Sequence, residues 1–117
     1  MRLNEIARRL GLRDITPEIS EQASVEVAYG HASDLLSDVL ANAPSGGVLV
    51  TIQVHMNVIA VSVSAGVRAI IFTSGRVPDE AVRKRGVEEQ IMLYSTEETT
   101  FDIVGRLYAL GLRGRQG

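Results

Sequence analysis

The chain has no cysteine and no tryptophan. Without cysteine, disulfides, thiol nucleophiles and cysteine-ligated zinc are excluded together, and a cytoplasmic setting is the natural one. Aromatic residues make up only 4% of the 117 positions, so the core must be aliphatic, with Phe72 and Phe101 as the large exceptions. Neither sign of charge dominates: 12 basic against 14 acidic side chains leave −2. That field is too weak to recruit nucleic acid or acidic lipid. Two histidines, His31 and His55, are too few for a three-histidine metal centre in one chain. We expect no metal and no cofactor. No Gly-x-x-x-x-Gly-Lys-Ser/Thr loop is present, which excludes P-loop hydrolysis. No Gly-x-Ser-x-Gly elbow is present either.

The most informative shortage is of charge in the middle. Between Asp38 and Arg68 there is no Asp, Glu, Lys or Arg. A run this rich in Val, Ile, Leu and Ala must be buried. Gln53, His55, Asn57 and Ser62 interrupt it, and Pro44-Ser45-Gly46-Gly47 precedes it. A membrane span wants about 20 predominantly apolar residues, so we expect burial in protein and no membrane association. The opening MRLNEIARRLGL is charged and does not read as a signal peptide.

By length, residues 1–117 form one domain. Leu3, Ile6, Ala7 and Leu10 make one helical stripe, which Gly11 is placed to end. This resembles the first helix of a helix-turn-helix, but Pro17 disfavours the second helix, so DNA binding loses its reading element. Residues 18–24 read as a loop and 24–29, alternating through Val25 and Val27, as a half-buried strand. Gly30 to Ser33 should turn the chain. Ser33 should cap a helix whose apolar face is Leu35, Leu36, Val39, Leu40 and Ala43, with Asp34 at its positive end. Val48–Ile52 and Arg68–Thr73 are unbroken β-branched runs, the pattern of strands covered on both faces. Between them, propensity favours strand, but Met56, Ile59, Ala60 and Val63 repeat at helical spacing. No turn residue lies between Ile52 and Met56, so we expect a helix ending near Gly66. Pro78 opens another helix, Ile91–Tyr94 is the last strand, and Thr99 or Thr100 caps a final helix in which Asp102 and Arg106 can pair. Strand, helix, strand, helix, strand, helix predicts a three-layer α/β/α fold with a mostly parallel central sheet.

In such sheets ligands bind beyond the carboxyl ends of the strands. Those ends gather Ser33, Asp34, Gln53, His55, Asn57, Thr73, Ser74, Gly75, Arg76 and Ser95. They would suit a nucleotide or other small anion held by helix N-termini and Arg76. They are equally the caps and turn residues that every helix start demands. The final helix is apolar over most of its circumference, and Phe101, Val104, Leu107 and Tyr108 are candidates for an interface with a second copy. A helix wedged deep in the monomer accounts for it as well.

Five segments, MRLNEIARRLGL, SDLLSDVLANA, VTIQVHMNVIAV, AIIFTSGRVPDE and FDIVGRLYALGLRG, in this order resemble the stand-alone DRTGG domain over nearly the whole chain. The resemblance implies an α/β fold like the N-terminal domain of HPr kinase/phosphorylase and, more distantly, the uridine-nucleotide-binding domain of Mur ligases. It also implies a regulatory or assembly module, often beside CBS domains, with no catalytic residues to carry over. Thr73-Ser74-Gly75 stands where relatives often have Thr-Gly-Gly, and Gln90-Ile91-Met92 where Gly-Ile-Pro is common. The HPr kinase catalytic domain is absent. The expectation is therefore a non-enzymatic module that homodimerises and binds a partner protein. The alternative is a sensor of a nucleotide or small anion.

Overall fold

The computed structural model describes residues 1–115. Helix α1 (Leu3–Leu10) buries Leu3, Ile6 and Leu10 and ends at Gly11, whose φ of 65° lets its N–H reach back to the last carbonyls. Among the described residues five strands follow in the order β1 (Arg13–Asp14), β2 (Gly30–Ala32), β3 (Val48–Thr51), β4 (Ala69–Phe72) and β5 (Met92–Ser95). Interleaved are α2 (Leu36–Asn42), α3 (Asn57–Ala65), α4 (Glu80–Glu88) and the closing α5 (Thr100–Ala109). The sheet order is β1-β5-β4-β3-β2, parallel except for β1.

From β2 to β5 each strand lies beside its predecessor, always stepping the same way. Right-handed crossovers then place α2, α3 and α4 on a single face. There Val39, Val58, Ile59 and Val82 pack on Leu49, Ile70, Phe72 and Leu93. Alternate strand residues, Val48, Val50, Ala69, Ile71, Met92 and Tyr94, point to the other face. That face is covered by α1, α5 and the 3-10 helix Pro17–Ser24, through Leu3, Ile6, Ile103 and Leu107. Double covering is why β3, β4 and β5 are buried at every position. The three-layer, mostly parallel architecture expected from the sequence is present.

Several local expectations are corrected. Residues 25–29 form only isolated bridges, Arg2 to Glu26 and Tyr29 to Arg113, and the strand is Gly30–Ala32, where a turn was expected. Its register against β3 (Gly30 beside Val48) makes it a strand, a tertiary cause invisible in residues of poor β-propensity. The alternation at Val25 and Val27 reported burial, not pairing. Residues 18–24 are helical rather than looped, with Ile19 and Ala23 buried. Helix α2 starts at Leu36, not after Ser33, and only Val39 is fully buried on it, while Leu35 and Leu40 are exposed. Residues 57–65 are a helix as expected, but the buried side is Val58, Ile59 and Ser62, leaving Met56, Ala60 and Val63 outward. A helix apolar all round gives spacing no contrast from which to choose a face. Arg106 reaches Glu98 at 2.5 Å and the Arg9 carbonyl at 3.0 Å instead of Asp102. Arg83 bridges Glu80 and Glu18, fastening α4 to the 3-10 helix and holding both carboxyls below their usual range.

Candidate functional site

The expected polar residues do collect at the carboxyl ends of the strands, and most of them bond to one another or to nearby backbone. Asp34 leaves β2 and reaches across to β3, where its Oδ1 accepts from the Thr51 hydroxyl at 2.8 Å and the Ile52 N–H at 2.9 Å. Thr51 Oγ1 accepts from the Gln53 N–H, Gln53 Oε1 from the His55 N–H and His55 Nδ1 from the Asn57 N–H, at 3.0 to 3.3 Å. Each is a side chain bonding backbone two residues on, so three consecutive turns carry β3 into α3. Ser33 does the same for the Leu35 N–H. Asp34 is therefore a strand-to-strand tie, not a helix-end charge.

The second half of the cluster is built by β4 and β5. Buried Thr73 meets the Thr100 hydroxyl at 2.6 Å. Ser74, with φ of 58°, donates its N–H to the Glu98 carbonyl at 2.8 Å, and Gly75 donates to Thr96 at 2.9 Å. Arg76 projects from this loop into solvent. A shallow hollow here is walled by Arg13, Gly75, Ser95 and the carboxylate-bearing Glu97 and Glu98, while Gln53 and His55 border a separate one with Asp79. The ten candidate residues thus share one end of the sheet but do not line one common pocket.

Among the interface candidates, Leu107 is buried core, which corrects its assignment. Its neighbours face out: Phe101 is 86% exposed, Tyr108 58% and Val104 38%. Thr99 caps α5 by accepting from the Asp102 N–H. Beside this face lies a mainly apolar groove of about 220 Å³ between α5 and the edge strand β2. Gly30 and Ala32 floor it, Val104, Leu107 and Tyr108 wall it, and the Arg113 guanidinium lies 3.7 Å from the Tyr108 ring centre. The groove exists because β2 presents only Gly30 and Ala32 to this side, while His31 turns to the opposite face. There His31 Nε2 meets Asp38 Oδ2 at 2.8 Å. Asn42, then His31 and Ser33, hydrogen-bond the Asp38 carboxyl and hold it down at about 2. Sequence inspection missed both the groove and this pair, since both depend on residues 30–32 being a strand.

Architecturally this is a small three-layer α/β domain whose outward apolar surface on α5 adjoins an edge groove. No protein-family model matches the sequence, and no curated protein matches it. Among solved structures it is similar to the CBS and DRTGG domains of the regulatory region of Clostridium perfringens pyrophosphatase, complexed with the activator diadenosine tetraphosphate. The TM-score is 0.71 at 16% identity, over 95% of this chain and 47% of that one. The chain therefore spans about half the length of this neighbour, and at that identity the likeness is one of fold. Among the described residues no helix is long and apolar enough to cross a membrane.

Proposed function

We propose that this chain is a non-catalytic regulatory or assembly module, a single DRTGG-like domain that works in the cytoplasm by homodimerising and binding a partner protein. The observation that carries this is the outward face of α5, where Phe101, Val104 and Tyr108 stand exposed beside an apolar groove. Exposed aromatics flanking an apolar depression mark contact surfaces. The hydrogen bonds at the strand ends support it too, since Asp34, Gln53 and His55 already serve neighbouring groups. Light scattering coupled to size exclusion at micromolar concentration is expected to give twice the mass of the chain. A strictly monomeric species that recovers no partner in a pull-down overturns the proposal.

A second reading is a sensor of a nucleotide or other small anion at the strand ends. It is favoured by the bound dinucleotide of the structural neighbour and by Arg76, which stands exposed beside Ser74 and Gly75. A ligand that binds the native state raises its stability. Millimolar nucleotides should then raise the melting temperature of the wild type and not that of Arg76→Ala. No shift with any nucleotide removes this reading.

A further inference from the structure

We infer that the second copy docks by an antiparallel pairing of α5 with α5, centred between Val104 and Gly105, with each Phe101 set against the Tyr108 wall of the other copy's groove. The inference rests on the proposed homodimer and specifies its register. Phe101, Val104, Gly105 and Tyr108 fall at i, i+3, i+4 and i+7, one side of the helix. A two-fold axis between 104 and 105 exchanges positions 101 and 108. The protruding ring of one copy thereby comes opposite the groove mouth of the other, an isologous contact in which each surface supplies both halves. Gly105 lies at the centre, with nothing within 4 Å of where its Cβ would be, so the two backbones can approach closely.

Charge and area agree with this partner. The stripe itself carries no charge. Arg106 is turned away from the stripe, onto Glu98 and the Arg9 carbonyl, so no charge is buried by the pairing. With aromatic side chains burying about 200 Å² each, the three exposed side chains offer roughly 350 Å² per copy. That approaches half of the ~800 Å² per partner of a standard interface, leaving the rest to the groove rim.

The cysteine-free chain allows a direct test of register. Under mild oxidation Gly105→Cys should cross-link to a covalent dimer that reverts on reduction, because the two positions flank the axis. Phe101→Cys should cross-link much more slowly, since its two copies lie about 10 Å apart along the helix. Phe101→Asp should weaken the dimer by at least about tenfold, with an unchanged circular dichroism spectrum. If the wild type is a dimer but Phe101→Asp leaves its affinity unchanged, or Phe101→Cys cross-links as fast as Gly105→Cys, this register is overturned and the dimer stands on another surface. The exposed Leu40 and Val63 of α2 and α3 are the next apolar candidates. If the wild type is monomeric, the underlying reading falls as well.

Discussion

The two faces of the sheet are covered in different ways. One carries three helices, each laid down by a crossover between neighbouring strands, and its cluster closes around Phe72 and Leu93. The other is roofed by the two ends of the chain, α1 with the 3-10 helix and α5. Crossovers that all step the same way from β2 to β5 leave their opposite face bare, and whatever covers it must come from before β2 or after β5. That cover stops short at β2, where Gly30 and Ala32 contribute almost no side chain, and the groove is what remains. Packing was thus completed where topology forced it, and an apolar groove was left where topology ran out.

The largest test of this contrast pits two phenylalanines against each other. Phe72→Ala, on the closed face, should cost about 3–5 kcal/mol in chemical denaturation, while Phe101→Ala should change the stability of the dilute protein by less than about 0.5 kcal/mol. Two helical glycines sharpen it. A Cβ on Gly86 of α4 would lie 2.7 Å from Leu93 Cδ1, whereas one on Gly105 of α5 meets open space. Gly86→Ala is expected to destabilise by about 1–3 kcal/mol through overpacking. Gly105→Ala should stabilise by up to about 1 kcal/mol through helix propensity. Smaller effects belong at Ser74 and Gln90, which among the described residues are the two non-glycine positions with positive φ, at 58° and 60°. Changing either to glycine should raise the melting temperature, by roughly 0.5–1 kcal/mol of stability each, because left-handed backbone strains an L side chain.

The smallest effect lies at the foot of α2. The Asp38 carboxyl is held at about 2, below its usual 3.8, by Asn42, His31 and Ser33. A carboxyl depressed in the folded state contributes stability above its unfolded value and loses it as pH falls through the folded one. Asp38→Asn should therefore flatten the loss of stability between about pH 4 and pH 2. An acid limb identical to that of the wild type would show that the pair is not formed in solution.

Legibility in the sequence followed the same division. The closed layers could be read because doubly covered strands are unbroken apolar runs, so β3, β4 and β5 fall within a residue or so of expectation. Strand β2 could not be read, since Gly30, His31 and Ala32 become a strand only through the neighbour they pair with. Helix α3 was legible as a helix but not in orientation, because Val58 and Val63 look alike until the sheet chooses between them. For the candidate site, composition located the polar strand ends correctly. It could not tell that Asp34, Thr51, Gln53 and His55 would satisfy backbone around them, because that depends on angstrom-scale loop geometry. Leu107 was misplaced for a related reason: on an apolar helix, core and surface residues share one alphabet.

Strand β1 is only two residues long, yet it settles how this sheet meets its surroundings. Lying antiparallel against Tyr94 and Ser95, it makes β5 an interior strand, and Ile15 and Thr16 go on to occupy the backbone of Leu93. At the far margin β2 is three residues long, and Arg113 already accepts the Gly30 N–H. Short or occupied margins give a foreign strand little to zip onto. Open-ended ribbon growth is thereby discouraged, and any self-recognition is left to side chains on a helix, which stop at a defined number of subunits.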